Sequence, residues 1–327
     1  MADPVLKVRN LDMHFPIGGS FFGKQTDVVR AVDKISFDVF RGESFGIVGE
    51  SGSGKTTLGR CIMRTLDPSA GSIKLTTKTR PEAELIGASR AEMTAIWRDM
   101  RMVFQDPQSS LNPRLRVLDL VGQALQKSEG LKGQALADRV GDLLEQVGLQ
   151  RAFLMRYPNA FSGGQRQRLG IARALATKPE IVIADEAVSA LDVSIQAQTL
   201  NLMQDLQEDY DLTYIFIAHD LAVVEHFCDR VAVMYLGQIV ELADRDTLFR
   251  APKHPYTKAL LDAVPRPVPK ARSAKRVAPI GKVSDRVSTG CKFAPRCPLA
   301  QDVCWSSEPP TLTLGSSQLK CHRPDAV

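Results

Sequence analysis

Four short stretches of this chain carry residue types whose spacing can do chemistry. The first is GESGSGKT, Gly49 to Thr56. It fits the pattern G-x-x-x-x-G-K-[ST], in which glycines let the backbone turn so that successive N–H groups point inward at a phosphate. Gly49, Ser51, Gly52, Ser53 and Gly54 would form that cradle, with Thr57 just inside the helix behind it. Lys55 can reach the β- and γ-phosphates, and the Thr56 hydroxyl can ligate Mg²⁺. The helix that follows would aim its positive end at the same point.

The second stretch is IVIADE, an apolar run that delivers Asp185 and Glu186 to the carboxyl end of a strand, where α/β sheets bind ligands. Asp185 would hold Mg²⁺ through water, and Glu186 would polarise or deprotonate an attacking water. The third is FSGGQRQRLGIARAL. Ser162, Gly163, Gly164 and Gln165 open a helix there, so the first-turn N–H groups and the helix dipole favour an anion. The fourth is the tail, with Cys291, Cys297, Cys304 and Cys321 spaced C-x5-C-x6-C-x16-C. Disulfides, zinc, an iron–sulfur cluster or no metal at all are open for it. Structural zinc sites usually bring a close C-x2-4-C pair, absent here. Four thiolates are what a [4Fe–4S] cluster needs, but the spacing matches neither ferredoxin pattern.

Strands and helices must hold these residues in place. Residues 5–48 read as strands, and in KISFDVF the residues Ile35, Phe37 and Val39 alternate with Ser36, Asp38 and Phe40. TTLGRCIMRTL has helical spacing and stops before Asp67-Pro68. The polar stretch through residue 95 resists assignment, and MRMVFQD is a strand. From Pro113 to Pro179 the pattern is helical, with Leu136, Val140, Leu143, Leu144 and Val147 on one face. Strands then alternate with helices through EIVIADE, LTYIFIAHD and RVAVMYLGQIVEL, which predicts a mostly parallel sheet with helices on both faces. Prolines at 252, 255, 265, 267, 269 and 279 mark a boundary and a linker.

The chain has 327 residues, long enough for two domains, with 44% hydrophobic and 24% charged residues, as in ordinary globular proteins. Much of the net charge of +5 lies in PRPVPKARSAKRVAPIGK, where Arg266, Lys270, Arg272, Lys275, Arg276 and Lys282 meet no acid. That stretch reads as a solvated linker, with attraction to an anionic membrane surface as the sharper alternative. The first residues, MADPVLKVRN, carry no secretory signal, and the apolar runs are strand-sized, so a cytosolic protein is expected. Disulfides rarely persist in that compartment. Cys61 and Cys228 read as small core residues.

FSGGQRQRLGIARAL resembles the signature of the nucleotide-binding subunits of ABC transporters. With it, FQDPQSSLNP resembles the Q-loop, SALD the D-loop and IAHD the switch region. The resemblance implies that Gln105 senses Mg²⁺ and the attacking water, that Asp192 closes the D-loop, and that His219 contacts the γ-phosphate and steadies Glu186. It also implies an aromatic ring against adenine. Phe15 occupies that position, with Phe21 and Phe22 close behind.

APKHPYTKALLDAVP and the cysteine tail are similar to the peptide-import branch of that family, nearer its second ATPase subunit. Ala187 stands where the branch usually has proline, which is expected to loosen a turn without removing a functional group. The expected fold is an α/β P-loop ABC ATPase core of mixed sheet and flanking helices over residues 1–250. An α-helical subdomain is inserted at about 107–178, and a small C-terminal cysteine-rich region covers 251–327. The resemblance implies ATP, Mg²⁺ and a [4Fe–4S] cluster on the four cysteines, with zinc second, and His322 as a bystander. It implies a second ABC ATPase subunit, with Ser162 and Gly164 of one subunit closing over the P-loop of the other. It further implies two transmembrane permease subunits and an external substrate-binding protein, at the cytoplasmic face of the inner membrane, with no nucleic acid. A rival is a soluble ABC ATPase acting on nucleic acid with a zinc tail. Against it stand the absence of a long coiled-coil insertion and the presence of HPYTKALL.

Overall fold

The computed structural model describes residues 3–17, 27–264 and 289–323. The basic stretch from Arg266 to Lys282 and the rings of Phe21 and Phe22 lie outside the described residues.

Two sheets organise the chain. The smaller has four antiparallel strands in the order β2-β1-β4-β5: β1 (Pro4–Ile17), β2 (Asp27–Phe40), β4 (Ala70–Thr77) and β5 (Arg80–Glu84). The larger has eight, in the order β11-β12-β10-β9-β3-β8-β7-β6. Its parallel part is β9 (Arg230–Tyr235), β3 (Ser44–Val48), β8 (Thr213–Ala218), β7 (Ile181–Asp185) and β6 (Met100–Val103). β10 (Gln238–Asp244) and the hairpin β11 (Thr311–Leu314) and β12 (Ser317–Lys320) continue it antiparallel. The sheet is thus mixed, and the C-terminal cysteine segment contributes its outer edge.

The continuous apolar strands are explained by burial on both faces. In β8, Tyr214, Phe216 and Ala218 enter one core while Ile215 and Ile217 enter the other. β7 splits likewise, Val182 and Ala184 against Ile181 and Ile183. One core lies between the parallel strands, the small sheet, α1 (Lys55–Ile62) and α2 (Arg90–Asp99), where Phe37 of β2 stacks on Phe45 of β3 at 5.0 Å. Each such side chain contributes about 1.5–3 kcal/mol by leaving water. The polar stretch through residue 95 that sequence patterning left open forms β4, β5 and most of α2, the last started by a Ser89–Glu92 capping box.

The other core joins the helical lobe to the sheet. It holds short α3 (Pro107–Ser110), α4 (Val117–Glu129), α5 (Gly133–Gln146), α6 (Gly163–Leu175), α7 (Val193–Tyr210) and α8 (Leu221–Phe227). The stripe Leu136, Val140, Leu143, Leu144 and Val147 is buried, as its spacing predicts. Cys61 on α1 and Cys228 at the end of α8 are fully buried. Three shorter helices follow: α9 (Arg245–Arg250), α10 (Pro255–Asp262) and α11 (Asp302–Ser306). Tyr235 of β9, Tyr256 of α10 and Phe293 pack ring against ring at 4.6–5.4 Å, which fastens the cysteine segment to the sheet. Among the described residues no helix is long and apolar enough to cross a membrane.

Candidate functional site

The carboxyl ends of β3 and β7 meet at a cleft of about 630 Å³. Ser51, Gly52, Gly54, Lys55, Thr56, Thr57, Gln105 and Glu186 line it, with Val28, Val29, Arg30, Asp33, Gly237 and Lys292 on the far wall. The loop between β3 and α1 needs its glycines for two reasons. Gly49 and Gly54 have φ of 153° and 103°, and a Cβ at either would lie 2.2 Å from the Met234 carbonyl or 2.1 Å from that of Ala31. Ser53 Oγ is buried and has no hydrogen-bond partner among the described residues, a hydroxyl suited to a phosphate oxygen.

Lys55 is buried, and its ammonium donates to the carbonyls of Gly49 at 2.8 Å and Glu50 at 3.1 Å. Burial pushes its pKa down, against the pull of Glu186, Asp185 and Glu50. Thr56 Oγ1 donates to Asp185 Oδ1 at 3.1 Å, so the two expected magnesium ligands are adjacent. Burial raises the Asp185 carboxyl above its ordinary range, and the Thr56 hydrogen bond opposes that.

Glu186 is the centre of a second group. Its carboxylate accepts from Gln105 Nε2 at 2.7 Å and lies 3.2 Å from His219 Nδ1. Its backbone is left-handed, φ 47°, uncommon for a residue with a side chain and costly unless neighbours fix it. They do: its N–H donates to the Ile217 carbonyl, and its own carbonyl accepts from the Ser189 N–H and hydroxyl. Ala187 is buried within this turn. The geometry thus brings Gln105, Glu186 and His219 together from three different loops.

Ser162, Gly163, Gly164 and Gln165 do not line the cleft. They form the start of α6, where Ser162 and Gln165 make a reciprocal capping box. A Cβ on Gly164 would lie 2.6 Å from Ile195 Cγ2 of α7, so packing as well as anion access requires glycine there. Asp192 caps α7, accepting from the Ile195 N–H at 3.0 Å. Phe15 is partly exposed on β1 opposite Val29; Val29 lines the cleft and Phe15 does not.

Cys291, Cys297, Cys304 and Cys321 line one small, apolar cavity of about 20 Å³, with His254, Phe293 and His322 also on its wall. Burial pushes the Cys291 thiol up to about 11 and raises those of Cys297 and Cys321. Among the described residues no group of three or more His, Cys, Asp or Glu side chains is placed to hold a metal ion. His322 Nε2 lies 3.0 Å from the Ser307 carbonyl, which accepts from it in the tautomer protonated there.

Sequence reasoning missed the residues that brace the cleft from the C-terminal side: Tyr256, Lys292 and Arg296. Tyr256 Oη accepts from the Glu50 N–H at 3.0 Å, and Arg296 grips the Glu50 carboxylate. The signal was an acidic residue inside a phosphate loop, which demands a cation from elsewhere.

A phosphate loop, a strand-end Asp-Glu pair and a Gln–Glu–His cluster on a mixed sheet with a helical lobe define a P-loop nucleoside triphosphatase. Residues 32–189 match the ABC transporter family, and residues 240–304 match the oligopeptide/dipeptide transporter C-terminal region. A Sinorhizobium fredii protein named as a peptide ABC transporter ATP-binding protein is 49% identical over 98% of this chain and 90% of its own length. A Brucella abortus protein named as a peptide import ATP-binding protein is 46% identical over 96% of this chain and 91% of its own. Among solved structures, the ATP-binding cassette MJ0796, as a dimer bound to ADP and Pi, shares 27% identity with a TM-score of 0.64 over 73% of this chain and 98% of its own. CbiO1 of Clostridium perfringens, part of the ABC transporter complex cbiONQ, gives 27% and 0.62 over 76% and 92%. The chain belongs to the ATP-binding proteins of the ABC transporter family, and it is an ATPase.

Proposed function

We propose that this chain hydrolyses ATP to drive uptake of di- and oligopeptides, docked on two membrane permease subunits at the cytoplasmic face of the inner membrane. One observation carries the reading: an intact hydrolytic cleft and residues matching the oligopeptide/dipeptide transporter C-terminal region share one chain. The names borne by its relatives support the same cargo. The match at residues 240–304 also disfavours the nucleic-acid rival.

In this reading Lys55, Ser53 and the backbone of Gly49 to Thr57 hold the phosphates, while Phe15 stacks on adenine. Thr56, Asp185 and Gln105 would hold Mg²⁺ directly or through water, and the bound ion would supply positive charge to offset that of the phosphates. Glu186 takes a proton from the attacking water, held in place by Gln105 and His219. Ser162, Gly163, Gly164, Gln165 and Asp192 serve the cleft of a second, similar ATPase subunit, and a substrate-binding protein feeds the permeases from outside. We assign residues 1–250 to the cassette, with its helical subdomain at about 107–178, and 251–327 to the peptide-transporter extension.

The test is peptide uptake. Vesicles bearing this chain with its co-expressed permeases and binding protein should accumulate labelled dipeptide or oligopeptide only with internal ATP. ATP-dependent uptake of another solute, with peptide excluded, would sink the cargo assignment.

For the four thiols we propose a [4Fe–4S] cluster. Their number and their convergence on one cavity support it. Anaerobically purified protein should carry about four iron and four sulfide per chain, lost in Cys297→Ser. About one zinc without sulfide would refute it.

A further inference from the structure

Glu50 follows the first glycine of the phosphate loop, so an acid belongs to the loop that must receive a polyanion, although its side chain does not line the cleft. Its carboxylate is gripped by a residue 246 positions away: Arg296 Nη2 donates to Oε1 at 2.7 Å and Nη1 to Oε2 at 2.9 Å. This two-pronged geometry is the strong, directional form of the pair. The Arg296 side chain is only 6% exposed, while that of Glu50 is 37% exposed. Arg296 is itself positioned by Tyr235, whose hydroxyl accepts from Nη1 at 3.4 Å, and it lies against the Tyr235 and Phe293 rings. Its pKa is raised, chiefly by the hydrogen bond to Glu50.

The backbone of Glu50 is fixed as well. Its N–H donates to Tyr256 Oη, and its carbonyl accepts from Lys55 Nζ at 3.1 Å and the Ser53 N–H at 3.1 Å. One loop residue therefore links the C-terminal segment to the phosphate-binding lysine. A second cation makes a parallel contact: Lys292 pairs with Asp33 at 2.7 Å, donates to the Leu236 carbonyl at 2.7 Å, and lines the cleft.

We propose that Arg296 is a positioning residue for ATP. It cancels the Glu50 charge and holds the loop that carries Lys55 in register, so the C-terminal segment sets nucleotide affinity. The proposal rests on the ATPase assignment of the cleft, and its readout is affinity rather than turnover. Without Arg296, an uncompensated negative charge stands on the loop that holds the ATP phosphates, and binding weakens.

The experiment measures MgATP hydrolysis by the assembled transporter, with KM and kcat separated, and binding of a fluorescent ATP analogue to the purified chain. Arg296→Met should raise KM and the analogue Kd about tenfold, with kcat within about threefold of wild type. Arg296→Lys should fall between. Adding Glu50→Gln to Arg296→Met removes the stranded charge and should return both constants to within about threefold of wild type. A purely structural role predicts a different pattern: lower thermal stability in Arg296→Met, unchanged KM, and no recovery in the double variant. That pattern overturns the proposal. If Arg296→Met does not fold, the double variant is compared with Glu50→Gln alone. Equal Kd values support the proposal, and a tenfold gap overturns it. Loss of kcat in wild type and all variants alike, with analogue binding intact, would instead count against the ATPase assignment.

Discussion

Asp185 and Glu186 are neighbours with opposite demands on their surroundings. Asp185 is buried beside the Thr56 hydroxyl, and desolvation raises its pKa; Glu186 faces the cleft from a left-handed turn. A carboxyl whose folded pKa lies above its unfolded value favours folding below the unfolded pKa and weakens it as pH rises through the folded pKa. Asp185→Asn should therefore raise the melting temperature of nucleotide-free protein at pH 7 while abolishing magnesium-dependent hydrolysis. The stability gain should shrink as pH falls toward the unfolded value of 3.8 and vanish below about pH 3, where Asp185 is protonated folded and unfolded alike. Thermal scans across pH check this, and a gain that grows on acidification would contradict it. At this scale the sequence was most legible. The P-loop and Asp-Glu readings followed from motif chemistry, because each motif is local and its atoms are adjacent in the chain, whereas Gln105 and His219 came from the resemblance to ABC ATPases. The Arg296–Glu50 pair was not legible, since a contact across 246 residues leaves no periodic or local trace.

Among the elements, the two-faced strands β7, β8 and β9 and the striped α5 were legible, because burial on one or both faces writes a period into the sequence. The polar stretch through residue 95 was not, since β5 is an edge strand with no fully buried side chain and only Ile73, Leu75 and Thr77 of β4 alternate toward the core. The β11–β12 hairpin was also hidden: its pairing with β10 depends on where the cysteine segment docks. That docking runs through α10, whose cap is His254. Its Nδ1 accepts from the Tyr256 N–H at 3.1 Å, and burial pushes its pKa from 6.5 to about 3. Unfolded protein takes up this proton below about pH 6.5 and folded protein does not, so stability is lost as pH falls. The slope is about 1.4 kcal/mol per pH unit well below the unfolded pKa. His254→Asn keeps a capping acceptor and removes the titration. The variant should lose less stability than wild type between pH 6.5 and 5 in denaturant titrations; parallel losses would contradict the assignment.

For the whole molecule, the arrangement separates two anion-directed surfaces. The cleft lies at the ends of the parallel strands, and the start of α6 lies on the helical lobe without lining it. In the proposed function a second subunit would bring its signature over this phosphate loop, and hydrolysis would then open the pair and work on the permeases. The C-terminal segment sits at the sheet edge beside the same cleft, so the part of the chain that matches the oligopeptide/dipeptide transporter C-terminal region also braces the phosphate loop.

The central claim is that this cleft hydrolyses ATP with Glu186 as the base. The direct measurement is phosphate release by the assembled complex carrying Glu186→Gln, alongside binding of MgATP to the same protein. Gln keeps the shape and an acceptor for Gln105 but cannot take a proton. The account predicts a fall in kcat of about 10²–10⁴-fold with ATP affinity within about threefold of wild type. Turnover near the wild-type rate would contradict it.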